Sequence, residues 1–287
     1  MLRGNTLATL RCGDQLLDLS SPLVMGILNA TPDSFYPESR VALDTVKIAE
    51  YAGKMVNEGA SIIDIGGMST RPGAEEIDLQ LELDRVLPVI EVVRKLYPHI
   101  VISLDTYRSK VALEGIKAGV GMINDISGGN LDEDMIPSIA KAQVAYVLMH
   151  MRGQPSNMQT MTEYKDLIGE VMKYFVERIR VLHQAGIQDI VIDPGFGFSK
   201  TIQHNYELIN RLHVFNMLGH PLMIGLSRKS TLAKTIGRPI EDTLQATSAL
   251  HLAALQGGVK ILRVHDVQAA KDVIAVYQQL QSRQENK

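Results

Sequence analysis

Two hydrophobic periods alternate along this chain. Short apolar runs occur at Leu23–Leu28, Ser61–Ile65, Val101–Leu104, Gly121–Ile123, Ala145–Met149, Ile190–Ile192, Leu222–Leu226 and Ile261–Val264, and such runs read as buried parallel strands. Between them the period becomes helical. Leu167, Val171, Phe175, Ile179 and Leu182 share one face, as do Val267, Ala270, Ile274, Tyr277 and Leu280 near the end. Thr160 and Glu163 have the spacing of a capping box ahead of the first of these helices. The eight runs recur roughly 34 residues apart, the size of a βα unit. Four junctions, EGASIIDIG, KAGVGMINDIS, QAGIQDIVIDPG and GGVKILRVHD, share a glycine at the helix end, a short link and an apolar strand. Strict strand and helix alternation predicts an α/β fold, a closed (β/α)8 TIM barrel. An open doubly wound sheet is the alternative, but no G-x-G-x-x-G follows the first strands. Residues 6–19 alternate around Gly13-Asp14 and predict a short N-terminal β-hairpin.

Composition narrows this picture. The 287 residues are 45% hydrophobic. At about 150 residues per domain that length suggests two domains, but α/β barrels run to about 250 residues as one. With no break in composition, the expectation is a single domain over 1–287, its hairpin at 6–19 and its barrel at 22–282. A net charge of −3 gives no reason to expect nucleic acid or an anionic membrane as partner. The single cysteine, Cys12, excludes an intramolecular disulfide and fits a reducing compartment. No run reaches the roughly 18 apolar residues of a membrane span. The first residues lack the pattern of a secretory signal. A soluble cytoplasmic protein is expected.

In a barrel of this kind the chemistry lies at the C-terminal ends of the strands. The predicted ends carry Asn29, the Gly66-Gly67 corner, Asp105, Asn124 with Asp125, His150, Asp193, Ser227-Arg228-Lys229, and Arg263 with His265. The stretch IVIDPGFGFSK shows the pattern best. An apolar strand delivers Asp193, Pro194 takes the chain out of the sheet, and Gly195 and Gly197 alternate with the flat faces of Phe196 and Phe198. Asp105, Asn124 and Asp193 together form an acceptor-rich set, suited to a flat heterocycle with amino and ring N–H donors. A protein-only metal cage is disfavoured, since no H-x-x-x-H or H-E-x-x-H occurs. One Mg²⁺ shared with a substrate phosphate fits better.

Arg263 and His265 precede a predicted helix and read as an anion site, most simply for phosphate. The competing reading is an arginine paired with a barrel acid and a helix-capping histidine. Ser227-Arg228-Lys229-Ser230 also opens a helix, and could hold a second anion or send Lys229 into the site. Two polar loops, Asn29–Arg40 and Gly66–Glu75, follow the first two strands, and His150–Gln159 follows the fifth. Loops at this end of a barrel can close over a reacting centre.

Taken together, MGILNATPDSF, DIGGMSTRPGA, SLDTYRS, INDISGG, LMHMRGQPSNMQ, DPGFGFSK, GLSRKS and RVHDV resemble dihydropteroate synthase, in the family's order over residues 25–267. The resemblance implies a (β/α)8 barrel that joins 6-hydroxymethyl-7,8-dihydropterin diphosphate to p-aminobenzoate and releases diphosphate, in folate synthesis. It implies pterin binding by Asp105, Asn124, Asp193 and Lys229, with Met149 also lining the substrate site. Arg263, His265 and Asn29 are implied at the diphosphate and Mg²⁺ site, with Asn29 as the metal ligand. Thr70, Arg71, Pro72, Phe198 and Ser230 match the p-aminobenzoate region. Thr31, Asp33, Ser34 and Phe35 match the first loop, with Phe35 against substrate. Catalytic roles are implied for Asp105, Lys229, Arg263 and Asp33. Sulfonamides as competitors and a homodimer are implied in the same way. Two departures stand out: Tyr36-Pro37-Glu38-Ser39 follows Phe35 where Ser-Asp-Gly-Gly is common, and Met68 stands where an acid is common. A pterin-dependent methyltransferase would not need TPDSF, STRPG or SRKS. A noncatalytic pterin-binding homologue is the alternative from another class.

Overall fold

A computed structural model describes residues 9–30, 45–69 and 76–282. The chain opens with an antiparallel hairpin, β1 (Thr9–Cys12) and β2 (Gln15–Asp18), turning at Gly13-Asp14 as the alternation predicts. Eight parallel strands then alternate with helices. They are β3 (Leu23–Asn29), β4 (Ile62–Gly66), β5 (Val101–Asp105), β6 (Met122–Asp125), β7 (Ala145–Met149), β8 (Ile190–Asp193), β9 (Leu222–Ile224) and β10 (Val259–Val264). β10 pairs with both β9 and β3, so the sheet closes into a barrel. The helices among the described residues are α1 (Thr45–Asn57), α2 (Leu79–Leu96), α3 (Ser109–Lys117), α4 (Met135–Ala142), α5 (Leu167–Gln184), α6 (Ile202–Asn210), α7 (Ser230–Ile236), α8 (Leu244–Gln256) and α9 (Val267–Ser282). No described helix is long and apolar enough to cross a membrane.

Period-2 alternation divides the strand residues between two cores. Outward residues such as Ile63, Ile65, Ile102, Leu104, Tyr146 and Leu148 pack under the helices with Val86, Ile90, Phe175 and Leu255. Inward residues of the lower barrel, Met25, Ile62, Val101, Met122, Val147, Val191, Met223 and Ile261, form a separate cluster with Leu10, Cys12 and Leu19 of the hairpin segment. The hairpin thus plugs the N-terminal end. Its Arg11 N–H donates to Asp189 Oδ1 at 2.8 Å and Gln15 Nε2 to the Pro98 carbonyl at 2.8 Å, in the links that lead into β8 and β5. A side chain at Gly121 would meet the Cys12 carbonyl 2.7 Å from its Cβ, so the plug needs glycine there. With one end filled, the polar chemistry is left to the other.

Three local expectations change. Thr160 and Glu163 do not cap α5. Thr160 ends a short 3-10 turn, and Asp166 is the cap, its Oδ1 accepting the Gly169 N–H at 3.1 Å. An aspartate directly before the helix reaches the third helical amide, which Thr160 is too far away to do. Leu280, placed by periodicity on the buried face of α9, is exposed because the helix runs past the barrel wall there. The ninth strand ends at Ile224 rather than Leu226.

Candidate active site

The inward alternation that fills the lower barrel with aliphatic residues brings polar ones higher up: Asp64 on β4, Ser103 and Asp105 on β5, Asn124 on β6, Asp193 on β8 and Arg263 on β10. Arg263 organises them. Its Nε donates to Asp64 Oδ2 at 2.6 Å and its Nη2 to Asp105 Oδ2 at 2.6 Å. Asp64 is fully buried and also accepts from Ser103 Oγ at 2.6 Å and Asn124 Nδ2 at 3.1 Å. A buried carboxylate is tolerated when its lone pairs are used in this way. Because Asn124 commits its amide nitrogen to Asp64, its oxygen is the group left to accept from a ligand. Burial pushes the Asp105 pKa up to about 7; Arg263 pulls against this, and Asp64, Glu82 and Asp125 add to it. Burial also opposes the charge on Arg263, but Asp64 and Asp105 outweigh it and hold its pKa above the ordinary value.

Asp193 lies at the end of β8, buried, with Oδ1 accepting the Gly195 N–H at 2.8 Å. Burial raises its pKa, against the Gly195 N–H and the charges of Lys229, Arg263 and Lys200. Gly195 has φ +74°, and a Cβ there would sit 2.0 Å from the His150 carbonyl, so only glycine lets the chain turn this tightly below the site. The turn presents Phe198, whose ring centroid is 4.4 Å from Lys229 Nζ, a cation–π contact. Lys229 is the N-cap residue of α7, and Ser230 begins that helix. Ile126, Met149, Met151 and Met158 form an apolar wall, with Tyr107 and Phe198 packed on it.

His265 follows β10. Its backbone N–H donates to Ser227 Oγ at 3.2 Å, and its Nδ1 lies 3.1 Å from the same oxygen. In the tautomer where the Ser227 hydroxyl donates to Nδ1, the neutral ring carries its proton on Nε2. Burial lowers the His265 pKa to about 4, with Arg263 and Arg228 adding to the effect. Asn29 stands exposed at the end of β3.

The sequence-predicted groups Asp105, Asn124, Met149, Asp193, Phe198, Lys229, Ser230, Arg263, His265 and Asn29 therefore all occupy the C-terminal half of the barrel or the loops above it. Thr31, Asp33, Ser34, Phe35, Thr70, Arg71 and Pro72, with the other residues of 31–40 and 70–75, lie outside the described residues. Three strand-end groups serve elsewhere. Asp125 points outward and accepts from Tyr146 Oη at 2.7 Å and from the Ser127 and Gly129 amides. His150 packs edge-on against Tyr174, with ring centroids 5.0 Å apart. Arg228 forms a two-bond pair with Asp266, at 2.7 and 3.2 Å, so it is not placed as a second anion site. For Asp125 and His150 this follows from parity, since the residue next to an inward one faces the helices; Arg228 lies in a turn beyond its strand, with φ +53°.

Several residues escaped the sequence reading. Asp64 sits inside an apolar run and has no local signal beyond its charge. Met151 and Met158 lie in a loop read as polar. Glu82 on α2 is buried, accepting from Thr106 Oγ1 at 2.7 Å and Arg108 at 2.8 Å, and it ties the β4 and β5 loops together. Met68, where an acid was expected, instead accepts a weak hydrogen bond from Tyr107 Oη at 3.7 Å.

A parallel barrel with buried acceptors, a cation on an aromatic face and a guanidinium at its C-terminal mouth is built as an enzyme that holds a flat polar heterocycle. The family model described as pterin binding enzyme matches residues 25–265. The dihydropteroate synthase of Escherichia coli (strain K12) is 40% identical over 273 residues, covering 94% of this chain and 96% of that protein. Among solved structures, the dihydropteroate synthase of Yersinia pestis in a sulfonamide drug complex superposes with a TM-score of 0.89 at 37% identity, over 96% of this chain and 99% of that one. The Xanthomonas albilineans enzyme with 4-aminobenzoic acid gives 0.88 at 38% identity, over 96% and 99%. The chain belongs to the dihydropteroate synthase family of pterin-binding enzymes, transferases of folate synthesis.

Proposed function

We propose that this chain condenses 6-hydroxymethyl-7,8-dihydropterin diphosphate with p-aminobenzoate by substitution at the pterin methylene, using the groups above in the following roles. Asn124 and Asp193 read the pterin's ring and amino donors, and Lys229 over Phe198 closes one side. The C–O bond to diphosphate breaks first, leaving the pair of electrons on diphosphate; the aniline nitrogen then forms the C–N bond, and its proton passes to the released diphosphate or to water. Arg263, and His265 through Nε2, stabilise the departing diphosphate. Asp105 faces the positive charge that the electron-rich pterin can carry at the methylene. The aniline nitrogen is already nucleophilic, so alignment of the two partners is most of the task. Phe198 and Ser230, with Thr70, Arg71, Pro72 and Phe35 from the two loops, receive p-aminobenzoate, and sulfonamides compete there. Asp33 is assigned to the first loop's part in catalysis.

Among the described residues no group of three or more His, Cys, Asp or Glu side chains could hold a metal ion. The donor set suits Mg²⁺ held mainly by diphosphate oxygens and water, with the Asn29 carboxamide as the protein's contribution. Such an ion would neutralise charge on the leaving group. The reading also takes residues 1–287 as one domain, working as a cytoplasmic homodimer, on the strength of the family resemblance.

The observation that carries the proposal is the constellation of Asp105, Asn124, Asp193 and Arg263 within one barrel mouth. The test is diphosphate release from the pterin diphosphate. It should require p-aminobenzoate and yield dihydropteroate. Release that ignores p-aminobenzoate, or no release while pterin still binds, would refute it.

A further inference from the structure

Lys200 is a buried lysine that the reaction above does not use. It is 5% exposed. Its Nζ donates to the Gly195 carbonyl at 3.1 Å and to the Phe198 carbonyl at 3.1 Å, and it lies 3.1 Å from His150 Nδ1. An ammonium has three protons, and here each finds an acceptor. His150 can accept because burial, Lys200 and Arg152 depress its pKa to about 2, keeping the ring neutral. The neighbouring Ser199 fixes the same place from the other side. Its hydroxyl accepts the Arg152 N–H at 2.9 Å and donates to the Arg152 carbonyl at 2.7 Å, while Tyr164 Oη donates to the Ser199 carbonyl at 3.0 Å. The loop after β8 is thereby bolted to the loop after β7, with the lysine at the centre.

Both carbonyls held by Lys200 belong to residues that shape the pterin site. The Gly195 N–H donates to Asp193 Oδ1, and its carbonyl, in the next peptide unit, is held by Lys200, so the lysine anchors the residue whose amide bonds the carboxylate. Phe198 is the face under Lys229. Lys200 is also one of the cations that favour the ionised form of Asp193. We propose that Lys200 is a positioning residue of the pterin site, whose protonated amine holds Gly195 and Phe198 in place and supplies positive charge behind Asp193. This rests on the pterin-site reading given above.

The surroundings make that proton labile. Burial lowers the Lys200 pKa to about 7, with Asp193 pulling it up and Arg152 pushing it down. The other titratable groups nearby are the neutral His150, which contacts the amine, and Tyr164 and Tyr174, whose hydroxyls donate to the Ser199 and Met149 carbonyls and whose pKa values burial raises. Pterin binding that needs the ammonium should weaken as the pH rises past this value.

The test is calorimetric titration of 6-hydroxymethyl-7,8-dihydropterin into the wild type, Lys200→Met and Asp193→Asn, from about pH 6 to about pH 9. The ratio of wild-type to Lys200→Met affinity should be about tenfold at the acid end and approach one at the alkaline end. A ratio that is constant with pH, as a merely structural role would give, or near one throughout, overturns the proposal. Wild-type Asp193→Asn affinity would instead indict the pterin-site reading itself. If Lys200→Met does not fold, wild-type titrations in two buffers of different ionisation heat decide. Proton uptake on binding near about pH 8 supports the role, and none overturns it.

Discussion

Arg263 Nε lies 2.6 Å from Asp64 Oδ2, across the barrel wall and 199 residues along the chain. The pair cannot form until the last strand closes the sheet against the first, so it joins closure of the fold to the placement of the Arg263 guanidinium. Asp64 has no exposure to solvent, and among the described residues Arg263 is the cation paired with it. Asp64→Asn leaves Arg263 paired with Asp105, so its cost in chemical denaturation should be that of a charged hydrogen bond, about 1.5–3 kcal/mol. Wild-type stability in this variant would mean that the pair does not form in solution.

Asp193→Asn should separate binding from folding. The asparagine oxygen can still accept the Gly195 N–H, so the turn keeps its bond. What is lost is the charge toward the pterin. Removing a charged hydrogen bond costs about 1.5–3 kcal/mol, roughly tenfold to a hundredfold in affinity. Calorimetry with the pterin, alongside a melting curve, checks both halves. Unchanged affinity would remove Asp193 from the site.

These two residues also mark what the sequence makes legible. Asp193 ends an apolar run just before Pro194 and a glycine turn, a local pattern that announces a strand delivering a polar group. Asp64 lies within SIIDIG, where the flanking isoleucines read as one continuous buried strand. Its meaning comes from Arg263, Ser103 and Asn124, on three other strands, and no local window contains them. The barrel was legible because period 2 and period 3.6 alternate cleanly. The apolar wall was not, because Met151 and Met158 sit in a loop with no period to mark which side chains turn inward. Parity explains the misplaced groups too: Asp125 and His150 adjoin the inward-facing Asn124 and Met149 and so face away from the barrel mouth.

His265 should take up a proton when diphosphate binds. In the empty site its pKa is lowered to about 4 by burial, with Arg263 and Arg228 adding to it. Two new negative charges beside Nε2 favour the imidazolium and raise that value. At about pH 6, binding should then draw a proton from solution, and affinity should increase as the pH falls toward that point. Titrations in buffers of different ionisation heat measure the uptake. Its absence, with His265→Asn binding diphosphate as tightly as the wild type, would place the anion elsewhere.

His251 offers a stability test away from the site. It lies on α8, 2% exposed, and its Nε2 has no hydrogen-bond partner among the described residues. Burial lowers its pKa from 6.5 to about 4, with Asp266 pulling weakly the other way. The sign follows from proton counting. Below 6.5 the unfolded chain binds a proton here and the native state does not. The stability present above 6.5 is therefore lost progressively as the pH falls toward 4, through this residue alone. At about pH 5 the loss amounts to about 2 kcal/mol. His251→Met fills much of the same volume with a flexible apolar chain and removes both the proton site and the unpaired nitrogen. The variant should match or slightly exceed the wild type in stability near neutral pH and gain on it steadily as the pH falls to about 5. Denaturation curves at several pH values give the difference directly, so carboxylates common to both proteins cancel. Parallel curves would mean that His251 titrates alike in the folded and unfolded states and would overturn the prediction.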